Sequence, residues 1–300
     1  MIIVIIGPTG VGKTKLSLEL AKYYSTEIIS GDSVQVYKGL DIGSAKITPK
    51  EMQNIKHHMI NILEPTEPFS VAVYQKMVRQ KIELIQKTNK MPIVVGGTGL
   101  YIKSVLHDFN FDGAHRDEAF EKRFNTVDNE TLYNHLKTID PEAVSEIHVN
   151  NRKRILQALY RAEQDIKISE EKSGNKPLYD YLIIGLTMER ALLYERINQR
   201  VDEMFKEGLV KEVKDLYKKN INTQSVQAIG YKELYAYFDG DYDLEKAKEL
   251  IKRNTRRYAK RQYTYFNNQL KVHWFNVNLS QFDQTINEVK KHIDFHLKRP

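Results

Sequence analysis

The chain has 300 residues, of which 41% are hydrophobic and 28% are charged, proportions typical of a globular protein that buries a core. It contains no cysteine, which excludes disulfides, thiolate zinc sites and a cysteine nucleophile. The net charge of +7 permits a polyanionic partner without requiring one, and the apolar run at residues 1–6 is too short to span a membrane, so we expect a cytoplasmic protein.

Apolar runs of strand length recur along the chain, with helical patterns between them. They occupy residues 1–6, 27–30, 91–95 and 179–187, and a later candidate lies at 272–278. Continuous β-branched runs separated by helices are typical of a parallel sheet that is covered on both faces. The predicted fold class is therefore α/β, with a parallel sheet flanked by helices.

The pattern changes between residues 113 and 171, where we find only helix-like segments. Two of these segments begin with asparagine, at 129 and at 150–151, and asparagine is a preferred N-cap. We predict a small all-helical insertion domain over 113–177, whose polar end at 171–177 returns the chain to the sheet. The catalytic core would then comprise residues 1–112 and 178–300.

The segment "GPTGVGKT" follows the first predicted strand and precedes a helix, which is the setting of a P-loop. Its glycines let backbone N–H groups converge on phosphate oxygens, and the helix N-terminus adds positive charge. Lys13 is expected to neutralise a terminal phosphate, and the Thr14 hydroxyl to ligate Mg²⁺. The predicted phosphate-binding residues are Gly7, Pro8, Thr9, Gly10, Val11, Gly12, Lys13 and Thr14.

The acidic residue that nucleotide-hydrolysing P-loop proteins carry after a second strand is missing from that position here. Such proteins usually have an acidic residue at the end of a second strand, where it holds Mg²⁺ and organises water. Here the run at 91–95 is followed by Gly96, Gly97, Thr98 and Gly99. These residues offer one hydroxyl and room for a substrate to approach the backbone, although a simple tight turn would also explain them.

A carboxylate follows a different strand. Asp32 lies just beyond the run at 27–30, at the edge where doubly wound sheets bind ligands. It has three candidate roles: magnesium ligand, general base, or cap of the following turn. We favour the general base, because Asp32 lies next to a P-loop and no acid follows the 91–95 run.

The late segment "RNTRRYAKRQYTYF" has a basic face if it is helical. At 100° per residue, Arg253, Arg256, Arg257 and Lys260 form one stripe. Such a stripe fits either a surface that contacts RNA phosphates or a solvated helix face. The opposite side, which we expect to face the core, carries Ala247, Ile251, Tyr258 and Tyr265.

Together these motifs resemble those of the tRNA dimethylallyltransferase family, also called tRNA isopentenyltransferases or IPP transferases. The resemblance runs nearly from end to end. Its most specific parts are "DSVQVYKGLDIGSAK", "GGTGLYIKSVL" and "RNTRRYAKRQYTYF", in this order. It also includes "HHMINILEPTEPFSV", "NNRKRILQAL", "RVDEMFKEGLVKEV" and "QAIGYKEL".

The resemblance implies transfer of a dimethylallyl group from dimethylallyl diphosphate to N6 of adenosine 37, beside the tRNA anticodon, with release of intact diphosphate. No water needs activation in that reaction, which accounts for the missing acid. On this basis Asp32 would take a proton from the adenine amine. Lys13, Thr14 with Mg²⁺, and the loop amides would stabilise the leaving diphosphate. Thr98 and Arg200 match family positions near that diphosphate.

The resemblance also implies tRNA contacts, and it favours RNA as the partner of the basic stripe. The extruded adenine and its neighbours would meet residues 32–35. Where the family usually has arginine, this chain has Gln157, so a phosphate contact there would be lost or become a neutral hydrogen bond. The predicted tRNA-binding residues are Asp32, Ser33, Val34, Gln35, Thr98, Arg123, Lys153, Arg154, Gln157, Arg253, Arg256 and Arg257.

Other functions fit parts of the sequence. A P-loop small-molecule kinase would use the "RNTRRYAKR" segment as a lid over ATP. An adenylate isopentenyltransferase would share the chemistry but not the polymeric acceptor, and an RNA-binding switch would tolerate loss of Asp32. The helical insertion and the basic stripe favour the tRNA enzyme. We therefore predict a monomer that binds the anticodon stem-loop, dimethylallyl diphosphate and Mg²⁺, and no membrane.

Overall fold

The structure is a computed structural model that describes residues 1–111, 118–169 and 174–298. Part of the predicted insertion domain, including 171–173 of its return segment, lies outside the described residues. The strands are β1 (Ile2–Ile6), β2 (Ile28–Ser30), β3 (His57–His58), β4 (Ile93–Gly96), β5 (Tyr181–Thr187) and β6 (His273–Asn276). The helices are α1 (Lys13–Tyr23), α2 (Val71–Gln86), α3 (Gly99–Leu106), α4 (Glu118–Phe124), α5 (Asn129–Ile139), α6 (Ala143–Glu146), α7 (Arg152–Ala162), α8 (Arg190–Glu207), α9 (Leu209–Lys218), α10 (Tyr231–Phe238), α11 (Leu244–Gln269) and α12 (Phe282–Leu297).

Within the described residues, six strands form one parallel sheet in the order β3-β2-β4-β1-β5-β6. The predicted α/β class is confirmed. Strand β1 lies between β4 and β5 and is completely buried, which explains its continuous apolar sequence. The sequence did not predict β3, because this edge strand consists of two histidines and shows no apolar pattern. In the part of the chain that is described, no helix is long and apolar enough to cross a bilayer.

The side chains of β1 point alternately into two apolar cores. Ile2, Val4 and Ile6 belong to the core that includes buried residues of α2 and α11. Ile3 and Ile5 belong to the other core, which includes buried residues of α1 and α12. Helices therefore cover both faces of the sheet, and ligands can reach it only at its edges.

Three neighbouring strands deliver the predicted site to one edge of the sheet. Strands β2, β4 and β1 are adjacent, so the loops that follow them lie side by side. These loops contain Asp32, Thr98 and the P-loop, respectively. Two of the loops approach so closely that a Cβ on Gly96 would lie 2.4 Å from the carbonyl oxygen of Gly31. The crossover topology thus gathers residues that are distant in sequence.

The chain divides into two compact units. The first comprises Met1–Leu106 and Leu178–Pro300, and the second is His107–Pro177. The boundary that we expected from the sequence was residue 113. In the second unit, α4, α5, α6 and α7 contribute to a separate apolar core that includes Phe120 and Leu136.

The structure corrects one helix start in this second unit. Asn129 was expected to cap α5, but it is the first helical residue. The cap is Asp128, which accepts a hydrogen bond from the backbone N–H of Thr131 at 2.9 Å. For α7 the expected asparagine cap is found, since Asn151 accepts a bond from the Arg154 N–H.

Candidate functional site

A crevice of about 710 Å³ opens at the carboxyl edge of β1, β2 and β4. Its walls come from the P-loop, from the residues after β2 and β4, and from α8 and α11. This volume is typical of a small-molecule site. The predicted residues that line it are Thr9, Gly10, Gly12, Lys13, Thr14, Asp32, Ser33, Val34, Gln35, Thr98 and Arg200.

The P-loop turns from β1 into α1 through positions that require glycine. Gly7 has a φ of 145°, and a Cβ there would lie 2.6 Å from the carbonyl oxygen of Leu186. Gly12 is the N-cap of α1 with a φ of 105°, so it supplies no capping side chain. The first turn of α1 also holds no acidic residue. The helix N-terminus is therefore suited to an anionic ligand.

Lys13 folds back over the P-loop. Its Nζ donates to the carbonyl oxygens of Gly7 at 2.9 Å and Pro8 at 2.8 Å. Burial of the amine and the nearby Arg200 lower the pKa of Lys13 to about 7, while Asp32 acts in the opposite direction. A phosphate in the crevice would favour the protonated amine, so we expect Lys13 to take up a proton when an anion binds.

Two arginines of α8 reach the same loop. Arg200, which was predicted, lies with its Nη1 3.5 Å from the Thr9 hydroxyl. Burial lowers the pKa of Arg200, and Asp32 opposes that shift. Arg196 was missed by the sequence analysis, although its Nε donates to the Gly10 carbonyl at 3.0 Å and it lines the crevice. Its spacing of four residues from Arg200, which places both on one helix face, was the available signal.

Asp32 has one of the roles considered from sequence, the cap of the following turn, and it also lies at the crevice. Its Oδ1 accepts hydrogen bonds from the backbone N–H groups of Val34 at 2.8 Å and Gln35 at 3.3 Å, so it caps the turn. It also lines the crevice and influences the pKa values of both Lys13 and Arg200. Capping fixes the carboxylate in place and does not remove it from the site.

The glycines after β4 make room for protein atoms, which differs from our expectation of room for a substrate. A Cβ on Gly97 would lie 2.1 Å from Nε2 of Gln262, and one on Gly99 would lie 2.1 Å from the Tyr265 ring. Between them Thr98 lines the crevice together with Tyr258. The absence of side chains at Gly97 and Gly99 therefore lets α11 pack against this loop, and the Thr98 hydroxyl remains at the crevice.

Gln262 is a site residue that the sequence did not single out. Its Oε1 accepts from the Thr9 N–H at 3.1 Å, and its Nε2 donates to the Gly97 carbonyl at 3.0 Å. The side chain is 5% exposed. It joins the P-loop to the loop after β4, and no pattern along α11 distinguishes it from the neighbouring polar residues.

The basic stripe of α11 is only partly free of protein contacts. Arg256 is half-buried and donates from Nη1 to Oδ1 of Asn198 on α8 at 2.5 Å. Arg253 is also half-buried, whereas Arg257 and Lys260 are exposed. On the opposite side, Tyr258 was expected to face the core but lines the crevice instead. Burial and the charge of Asp32 raise the pKa of the Tyr258 phenol.

The residues of the second unit that were predicted to bind tRNA differ in their exposure and in their protein contacts. Arg123 pairs with Glu163 at 2.6 Å, and Arg154 lies 3.8 Å from Glu146. Lys153 is exposed. Gln157 is half-buried, and its Nε2 has no hydrogen-bond partner. An unsatisfied amide of this kind is costly unless a ligand or water meets it.

Comparison with known proteins identifies consistent relatives. The IPP transferase family model matches residues 35–269. The tRNA dimethylallyltransferase of Bacillus licheniformis is 52% identical over 297 residues, which cover 95% of each protein. That of Bacillus subtilis is 49% identical over 284 residues, which cover 92% of this chain and 90% of its own.

Solved structures agree with the sequence relatives. The tRNA delta(2)-isopentenylpyrophosphate transferase of Staphylococcus epidermidis aligns with a TM-score of 0.75 at 42% identity, covering 98% of this chain and 99% of its own. A eukaryotic dimethylallyltransferase, described as acting on tRNA, aligns with a TM-score of 0.85 at 29% identity, covering 100% of this chain and 80% of its own. The likeness extends over the whole chain and is not limited to the P-loop.

Proposed function

This chain belongs to the IPP transferase family and is a tRNA-modifying transferase, and we propose that it moves a dimethylallyl group from dimethylallyl diphosphate to N6 of adenosine 37. Diphosphate would leave intact. The observation that supports this proposal most strongly is that one crevice contains both a phosphate cradle with Lys13 and Arg200 and the carboxylate of Asp32. Family membership favours this reaction over the small-molecule kinase. A tRNA substrate is in keeping with a cytoplasmic site of action.

The proposed chemistry follows from where the charges develop. The bond between C1 of the dimethylallyl group and its diphosphate oxygen breaks, and its electron pair leaves with the diphosphate. The N6 lone pair forms the new carbon–nitrogen bond, and Asp32 accepts the N6 proton. Lys13, Arg200 and the amides at the start of α1 stabilise the negative charge on the leaving group.

The donor set of the crevice fits Mg²⁺, which we propose as the cofactor. Magnesium prefers oxygen ligands and is usually held by one or two protein groups together with substrate phosphates. Thr14 provides a hydroxyl at the crevice wall, and the donor diphosphate would supply further oxygen ligands. When bound, the ion would neutralise charge on the diphosphate.

The acceptor adenine has to leave its base stack before its amine can react. We propose that residues 32–35 meet the extruded base, since they line the crevice beside the cradle. Exposed cations, among them Arg257 and Lys153, would contact tRNA phosphates and supply affinity with little sequence specificity. The amide nitrogen of Gln157 is buried without a partner, so a neutral hydrogen bond from it to the RNA backbone would require the side chain to turn outward.

The direct test supplies Mg²⁺, dimethylallyl diphosphate labelled in the prenyl group and unmodified tRNA. Label should enter the RNA, and nuclease digestion should yield N6-dimethylallyladenosine from position 37. A matched tRNA with guanosine at position 37 should stay unlabelled. Labelling of that control would overturn the assigned acceptor. ATP cleavage without labelled tRNA would instead support the kinase.

A further inference from the structure

The start of the phosphate-binding helix α1 is in contact with α12. A Cβ on Gly12 would lie 2.7 Å from Cε2 and 3.0 Å from Cζ of Phe282, the first residue of α12. Phe282 is 5% exposed, and it belongs to the same apolar core as Val11 and Leu16, which lie on either side of Gly12 in the chain. Its ring therefore packs against the turn that leads from the P-loop into α1.

Polar contacts join the same two helices at both ends. Near the start, Nζ of Lys15 lies 4.8 Å from the centre of the Phe282 ring and 3.7 Å from Oδ1 of Asp283. Near the end, the hydroxyl of Tyr24, the C-cap of α1, donates to Oδ1 of Asp294 at 2.8 Å. Because these contacts run from start to start and from end to end, α12 lies alongside α1 with its first residue at the anion-binding end.

The conformation of Gly12 determines where the N–H groups at the start of α1 point. Gly12 has a φ of 105°, and it precedes a first turn whose N–H groups have no acceptor within the helix. Lys13 and Thr14, which carry two of these groups, line the crevice. A glycine that is free to move loses conformational entropy when an anion orders it. A neighbour that already holds Gly12 in place reduces that loss and so strengthens binding.

We propose that Phe282 is a positioning residue of the phosphate cradle. By packing against Gly12, it keeps the start of α1 in the conformation that presents backbone N–H groups to the anion. Phe282 acts from behind the loop, since it is not one of the residues that line the crevice. This inference rests on the proposed function, in which the P-loop holds the donor diphosphate.

The test measures the affinity of the full chain for inorganic pyrophosphate with Mg²⁺, by calorimetry, and the kinetics of prenyl transfer. Phe282→Leu should bind pyrophosphate more weakly by about three- to tenfold, because the smaller side chain leaves Gly12 room to move and binding must then remove that motion. Phe282→Ala should lose more. The KM for dimethylallyl diphosphate should rise by a similar factor while the KM for tRNA stays unchanged, a difference that general destabilisation would not produce.

A matched control changes the same core near the other end of α12. Ile293 is fully buried, so Ile293→Val should lower the stability to urea but leave the pyrophosphate affinity unchanged. Wild-type affinity in Phe282→Leu would overturn the inference, and so would an equal loss of affinity in Ile293→Val. Failure of the wild-type protein to bind pyrophosphate would instead contradict the proposed function.

Discussion

At the scale of single residues, Asp32 has a structural role in its turn and, in the proposed reaction, a chemical one. Its Oδ1 holds the turn through the N–H groups of Val34 and Gln35, and the same side chain lines the crevice. An asparagine would keep an acceptor oxygen for the turn but would not accept a proton. An alanine would remove both properties.

We therefore expect Asp32→Asn to lower the rate of prenyl transfer by roughly 10²–10⁴-fold, the contribution of one general base. Its stability to urea should stay close to that of the wild-type protein, whereas Asp32→Ala should be less stable by about 1 kcal/mol because the cap is lost. Single-turnover transfer and urea denaturation measure the two effects. Near wild-type transfer by Asp32→Asn would rule out the base.

Lys13 makes anion binding depend on pH. Its pKa of about 7 in the free protein means that it is half protonated near neutrality. A bound diphosphate favours the charged amine and raises that pKa, so binding takes up a proton above pH 7. Pyrophosphate affinity should therefore fall as the pH rises above 7, by at most about tenfold per unit. The measurement is the pyrophosphate affinity of the wild-type protein and of Lys13→Ala over the same series of pH values. The difference between the two curves cancels the titration of pyrophosphate itself. Parallel curves would contradict the assignment.

At the scale of elements, α9 holds a loop that forms part of the crevice wall. Both carboxylate oxygens of Glu212 accept hydrogen bonds from the backbone N–H groups of Asp41, Ile42 and Gly43 at 2.8–3.0 Å. Oε1 also accepts from the Tyr231 hydroxyl at 2.7 Å. Since Gly43 and the two residues after it line the crevice, this one carboxylate shapes the site from outside.

Glu212→Gln should weaken this support. One oxygen becomes an NH₂ group that faces donors, so the free energy of unfolding should fall by about 1–3 kcal/mol. The variant should also have a higher KM for tRNA, because the wall beside residues 32–35 loosens. Asp215→Asn, an exposed change on the same helix, serves as the control and should be neutral in both assays. Unchanged stability of Glu212→Gln would contradict the role of these bonds.

The contacts of the arginines on α11 determine which of them can be removed to test RNA binding without changing protein packing. Arg256 is bonded to Asn198, so its removal would change protein packing as well as charge. Arg257 is exposed. Arg257→Ala should raise the KM for tRNA several-fold and reduce the slope of its logarithmic salt dependence by about 1, with little effect on stability. Lys291→Ala on α12 removes one exposed charge elsewhere and should leave the slope unchanged. An unaltered slope for Arg257→Ala would argue against the RNA surface.

At the scale of the whole molecule, the first unit contains all the residues that line the proposed diphosphate site. Both cores that cover the sheet, and every residue that lines the crevice, belong to Met1–Leu106 or Leu178–Pro300. The two ends of this unit also meet, because the Leu178 N–H donates to the Leu106 carbonyl at 2.9 Å. A short linker could therefore join Leu106 to Leu178 in place of the second unit.

A variant in which a short glycine linker replaces His107–Pro177 should fold and still bind pyrophosphate. It should lose affinity for tRNA, since the proposed contacts of Lys153, Arg154 and Gln157 are gone. Circular dichroism, calorimetry and filter binding of tRNA measure the three properties. If the variant bound tRNA as tightly as the intact chain, the second unit would have no part in recognition.

Much of the fold and part of the site could be predicted, because the signals are local. A buried central strand requires a continuous apolar run, and β1, β4 and β5 were found from such runs. The turn into α1 requires glycines at fixed positions, so the P-loop was readable from eight residues. Asp32 was identified by its position just after a strand. Strand β3, with two residues, was too short to give a pattern.

The amino-acid sequence by itself thus determined the strand segments other than β3, the P-loop and the position of Asp32 after a strand, since each depends on residues that are close neighbours in the chain. Only the tertiary structure decided what surrounds them. Gln262 meets Thr9 across 253 positions, and Arg196 meets Gly10 across 186. Contacts at such separations exist because helices pack on a common sheet, and no periodicity along a single helix records which polar side chain will reach the site.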